Sequence, residues 1–68
     1  MKQLDARGLS CPEPVILIRK AMQSGEAAYE MMVDNHAAKE NVSRYAEHQG
    51  YTVTVRQEGS EYTLTMRK

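Results

Sequence analysis

The chain has 68 residues, room for a single domain over 1–68. A domain of this size buries only about 60% of the surface its unfolded chain exposes, so any chemistry must lie near the surface. Nine Lys and Arg balance nine Asp and Glu, without the basic excess that drives phosphate binding, so no direct nucleic-acid contact is expected. One cysteine cannot form an internal disulfide, no apolar run approaches the roughly 20 residues of a membrane span, and the start lacks a signal-peptide core; the expectation is a cytoplasmic protein with no membrane contact.

Lys2 to Ala6, with Leu4 and Ala6 on one parity, reads as a short strand, and Arg7-Gly8-Leu9-Ser10 as a loop. Pro12 opens a helix, because proline is favoured at the first helical position, and Pro14 is tolerated in the same turn. This helix is expected to run to about Ser24, with Gly25 after it. Cys11, Val15, Ile18 and Met22 form one stripe at helical spacing, flanked by Pro14 and Ala21. Glu13, Ile16 and Lys20 face outwards. Ala28 to Val33 reads as a second strand with Tyr29, Met31 and Val33 on one face. Asp34-Asn35 can cap a second helix over about Ala37 to Gln49. Its apolar side carries Ala38, Val42, Tyr45 and Ala46, and Glu40 and Arg44 are spaced for an i,i+4 ion pair. Tyr51 to Glu58 and Tyr62 to Met66 alternate with period two around a Gly59-Ser60 turn, the pattern of a hairpin with one wet face.

The order β-α-β-α-β-β predicts an α+β fold, a two-layer sandwich with a mixed four-stranded sheet and both helices on one face. Loops leaving two parallel neighbours emerge at the same sheet edge, where functional groups gather. If the first two strands are adjacent, Asp34, Asn35 and His36 approach Cys11.

Cys11 is the residue that points to chemistry. With Pro12 at the first helical position, Cys11 is expected to be the N-cap, where free N–H groups and the helix dipole favour thiolate, the nucleophilic form. Pro14 removes one donor, Glu13 supplies the main remaining one, and the Glu13 carboxylate opposes ionisation. Arg7 is a candidate counter-ion and His36 a candidate proton acceptor. A lone cysteine is most often a small buried apolar residue, but Cys-Pro-x-Pro at a helix start favours a presented thiol. One Cys and two distant His make no metal site, no phosphate loop or Cys-x-x-Cys pair occurs, and no cofactor is expected. Ile16, an exposed apolar residue near Arg19 and Lys20, is a candidate partner contact.

The stretch Leu4-Asp5-Ala6-Arg7-Gly8-Leu9-Ser10-Cys11-Pro12-Glu13-Pro14-Val15 resembles the signature of the TusA/SirA/YedF family of small sulfur-carrier proteins. Val33-Asp34-Asn35, Glu40-Asn41-Val42 and Gly50-Tyr51-x-Val53 look most like the YedF branch, associated with selenium metabolism, although Ile18 stands where that branch often has a polar residue. The resemblance implies a β-α-β-α-β-β sandwich with adjacent first strands. It also implies that Cys11, in a motif with Pro12, Glu13, Pro14, Arg7 and Gly8, accepts sulfur as a persulfide from a cysteine desulfurase. Relay to an acceptor protein would follow, towards tRNA thiolation or selenium and sulfur metabolism. Such a sulfurtransferase-like carrier needs no metal or organic cofactor. The competing expectation is a regulatory or protein/RNA-binding module in which Cys11 is structural.

Overall fold

The computed structural model describes residues 2–10 and 12–68; Met1 and Cys11 lie outside the described residues. The elements are β1 (Lys2–Asp5), α1 (Glu13–Met22), β2 (Ala28–Val33), α2 (His36–His48), β3 (Thr52–Glu58) and β4 (Glu61–Arg67). They form a mixed four-stranded sheet of order β1-β2-β4-β3. β1 runs parallel to β2, while β4 is antiparallel to both β2 and β3. The expected two-layer architecture is therefore found, with the first two strands adjacent.

The period-two strands supply the core from one face. Tyr29, Met31 and Val33 of β2 and Leu64 and Met66 of β4 are fully buried. They are central because β2 and β4 are the inner strands. Val42 and Ala46 of α2 and Ile18 of α1 close over them, also fully buried. Cover thins from Tyr51 into β3: Tyr51, just before the strand, is buried, Val53 is half-buried and Val55 is 43% exposed.

Two details of the helices differ from expectation. α1 begins at Glu13, and Pro12, at φ −101° and ψ 18°, is its N-cap. The expected N-cap at Cys11 is thus displaced by one residue, because the first turn closes on the Ser10 and Pro12 carbonyls. The buried stripe of α1 is centred on Pro14, Ile18 and Ala21, with Val15 and Met22 half-buried at its side; the expected place of Cys11 on that stripe lies outside the described residues. α1 also ends at Met22, two residues early.

On α2 the expected Glu40–Arg44 pair is replaced. Glu40 lies 3.8 Å from His36 Nε2 and 3.9 Å from Lys39 Nζ. His36 lies one turn before Glu40 and Lys39 directly precedes it, and the Glu40 carboxylate is turned towards both. Gly50 follows the Gln49 C-cap at φ +89°, the left-handed geometry that ends a helix.

Candidate functional site

Three connections meet at one edge of the sheet. Parallel pairing of β1 and β2 places the β1–α1 and β2–α2 loops together. The start of β4 joins them, since Tyr62 pairs with Val33 at the end of β2. The Ala6 N–H extends the ladder to the Met32 carbonyl at 2.8 Å. The Leu9 N–H then donates to the Ala6 carbonyl at 3.3 Å, closing a four-residue turn. Gly8, its third residue, has φ +80°, a conformation that L side chains resist.

This turn is braced from both sides. The Gly8 N–H donates to Asp34 Oδ2 at 2.8 Å. Asn35 Nδ2 donates to Asp34 Oδ1 at 3.3 Å, and Asn35 Oδ1 accepts the Ala38 N–H at 2.7 Å as the N-cap of α2. A short hydrogen-bonded chain thus links the loop before Cys11 to the second helix. On the other side, Arg7 grips Asp5 through Nε and Nη2 at 3.0 and 2.9 Å, and its Nη1 reaches Glu61 at 3.3 Å. Asp5 also accepts the Arg7 backbone N–H at 3.0 Å. The Arg7 side-chain hydrogen bonds, seconded by the backbone one, hold the Asp5 carboxyl at about 2, and the two carboxylates push Arg7 further up.

The structure brings Arg7, Gly8, Asp34 and Asn35 together at this edge, as loop braces. The Arg7 guanidinium, expected as a counter-ion for the thiolate, has carboxylate partners of its own. His36, at 68% side-chain exposure, lies within reach of Glu40 one turn along its own helix. Sequence reasoning missed Glu61. Its tie to Arg7 spans 54 positions and depends on β4 lying beside β2, which no local pattern reveals.

The first turn of α1 has no N–H left over among the described residues. Pro12 and Pro14 have none, the Glu13 N–H donates to the Ser10 carbonyl at 2.9 Å, and the Val15 and Ile16 N–H groups both donate to the Pro12 carbonyl at 3.1 Å. Glu13, expected as the main remaining donor for a capping sulfur, is therefore engaged. The fixed dipole of the helix remains. The Ser10 and Pro12 carbonyls, taking the Glu13, Val15 and Ile16 N–H groups, close the turn that opens α1.

Along the outer side of α1, Leu9, Ile16 and Leu17 line a shallow groove of about 240 Å³ with Glu13 and Lys20 on its rim. Ile16 is half-buried rather than fully exposed, and it shares this groove with Leu9 and Leu17. Arg19 is exposed. Among the described residues no group of His, Cys, Asp and Glu could hold a metal ion, and no helix is long and apolar enough to cross a membrane.

A model of the family described as Sulfurtransferase TusA matches residues 2–68. A candidate sulfur carrier protein of Methanocaldococcus jannaschii is 38% identical over 71 aligned positions, covering 100% of this chain and 95% of that protein. A second candidate sulfur carrier, from Archaeoglobus fulgidus, is 46% identical over 44 residues, covering 62% of this chain and 57% of its own length. The crystal structure of a SirA-like protein from Desulfitobacterium hafniense superposes with a TM-score of 0.88 at 32% identity, covering 98% of this chain and 96% of that one.

Proposed function

Because the chain belongs to the TusA family of sulfur carriers, we propose that Cys11 is the carrier residue and holds sulfur as a persulfide. In loading, the Cys11 thiolate attacks the outer sulfur of a persulfide on a cysteine desulfurase. A new S–S bond forms, the donor's S–S bond breaks, and the donor cysteine leaves as a thiolate. No external oxidant enters, because the sulfur arrives already at the persulfide level. Unloading is the same exchange on an acceptor protein, in tRNA thiolation or in selenium and sulfur metabolism. The cytoplasm, where thiols stay reduced, suits this chemistry.

The observation that supports this reading is the bracing of the loop that leads to the chain's only cysteine. Asp34 holds Gly8 and Arg7 ties Asp5 to Glu61, so the chain entering Cys11 is fixed on two sides. A sulfur that must enter one partner's site and then another's needs such a fixed base. Arg7, Gly8, Asp34 and Asn35 serve as positioning residues, and the flanking Pro12, Glu13 and Pro14 set the direction of the chain. His36 takes part as proton acceptor only if it swings from Glu40. Ile16 and Arg19 offer a contact for the donor.

Intact mass after incubation with a cysteine desulfurase and cysteine tests the proposal. The expected result is a gain of one sulfur atom that is absent in Cys11→Ser. No gain with several desulfurases would refute it and favour a binding module in which Cys11 is structural.

A further inference from the structure

A second groove runs from the start of α1 across to the outer side of α2. It is an open depression of about 560 Å³ beside the motif. Pro12, Val15 and Tyr45 give it an apolar floor, and Arg44 and His48 stand at its α2 wall. It shares no lining residue with the Ile16 groove on the other side of α1. Pro12 is bonded directly to Cys11, so whatever fills this groove arrives one residue from the proposed carrier thiol.

The charge of the groove selects its occupant. No Asp or Glu lines it. Glu40, the carboxylate spaced to neutralise Arg44, is turned towards His36 and Lys39. Arg44 has no ion-pair partner among the described residues, in contrast to Arg7 and Lys39. An unpaired guanidinium beside apolar side chains fits a carboxylate carried next to an apolar residue, since Arg accepts a carboxylate bidentately while its stem packs on carbon. A nucleic acid fits less well: phosphate binding draws on several cations together, and here one Arg borders a largely apolar floor in a chain of zero net charge.

We infer that the α1–α2 groove is a docking site for an acidic–apolar segment of a protein that exchanges sulfur with Cys11. The inference rests on the carrier reading and adds to it. A relay has two partners, and the helix bearing the motif has a separate apolar groove on each side.

The test is a titration of the reduced, isotope-labelled protein followed by amide NMR, with three probes. These are the capped peptide Glu-Leu-Asp-Phe-Glu, its basic counterpart Lys-Leu-Lys-Phe-Lys, and an RNA stem–loop. The acidic peptide is expected to shift the amides of Val15, Arg44 and Tyr45, to bind at least tenfold more weakly to Arg44→Glu, and to slow alkylation of Cys11 by iodoacetamide at least threefold. Unshifted Tyr29 and Met31 amides in Arg44→Glu establish that the variant is folded, and Arg44→Lys is expected to recover part of the binding. The inference is overturned if the basic peptide binds equally well, if the RNA occupies the same residues more tightly, or if no peptide shifts them. The titration needs no persulfide, so its failure is separate from a failure of sulfur loading.

Discussion

Asp34 offers the sharpest check on how the site is built. Replacing it with Ala removes the acceptor of the Gly8 N–H, a 2.8 Å bond between loops 26 positions apart. It also removes the acceptor for Asn35 Nδ2 at 3.3 Å. A hydrogen bond to a charged group contributes roughly 1.5–3 kcal/mol net, and because this one is exposed and water can replace the carboxylate, the low end applies, about 1 kcal/mol after that discount. In a domain this small, 1 kcal/mol moves the melting temperature by roughly 4–8 °C. The local effect follows from the same figure: exchange of the Gly8 amide should quicken about fivefold, since 1.4 kcal/mol is a factor of ten. Asp34→Asn keeps an acceptor oxygen without the charge and should recover at least half of both effects. Sulfur loading should fall in Asp34→Ala more than alkylation by a small reagent does, because a small reagent reaches a misplaced thiol and a protein donor does not. Thermal unfolding, hydrogen exchange and intact mass are the three assays. A melting temperature within a degree of the parent, with Gly8 exchange unchanged, would refute the bracing argument.

Two further outcomes follow from buried and paired groups. The Tyr29 hydroxyl, in a fully buried side chain, donates to the Ala21 carbonyl at 3.0 Å and accepts the Glu26 N–H at 3.0 Å; Tyr29→Phe should lose about 1–2 kcal/mol in denaturant unfolding with sulfur loading unchanged, because Ala21 keeps Ser24 as a donor while Glu26 is left without its partner. The Asp5 carboxyl should titrate at about 2 by carbon NMR; its folded value is depressed below the ordinary 3.8, so the stability it contributes is present above 3.8 and lost as pH falls through about 2. Arg7→Ala should return that titration to the ordinary range, and an unchanged midpoint would show that Arg7 is not its cause.

Most of the fold was legible because its signals are local. Alternation in Tyr29, Met31 and Val33, the Gly59-Ser60 turn and the Asn35 cap each act over a few residues. β1 was the weakest of these: Leu4 is only half-buried, and the strand exists through its ladder to β2. The start of α1 was misplaced by one residue because proline suits both the first helical position and the residue before it. The choice falls to the Ser10 carbonyl, which captures the Glu13 N–H. The Glu40–Arg44 spacing was correct, but spacing does not decide which of several basic side chains a carboxylate faces.

The site was legible as a place, the sheet edge where the β1–α1 and β2–α2 loops meet, and less legible in its contacts. Arg7 and Gly8 stand just before the cysteine, and the sequence invites the reading of Arg7 as a counter-ion for its thiolate. Their hydrogen bonds run elsewhere: Arg7 to two carboxylates, Gly8 to Asp34, and the first-turn amides to backbone carbonyls. Each of these contacts restrains the backbone, and none adds a mobile proton donor or acceptor. A motif of this composition fixes where the chain turns. For a carrier, that division is physically sound. A thiol strongly activated in the free protein would react with any electrophile it met, whereas one that is well placed but modestly activated reacts when a partner closes over it and excludes water. The selectivity of transfer would then reside in the surfaces that flank α1, the Ile16 groove on one side and the Arg44 groove on the other.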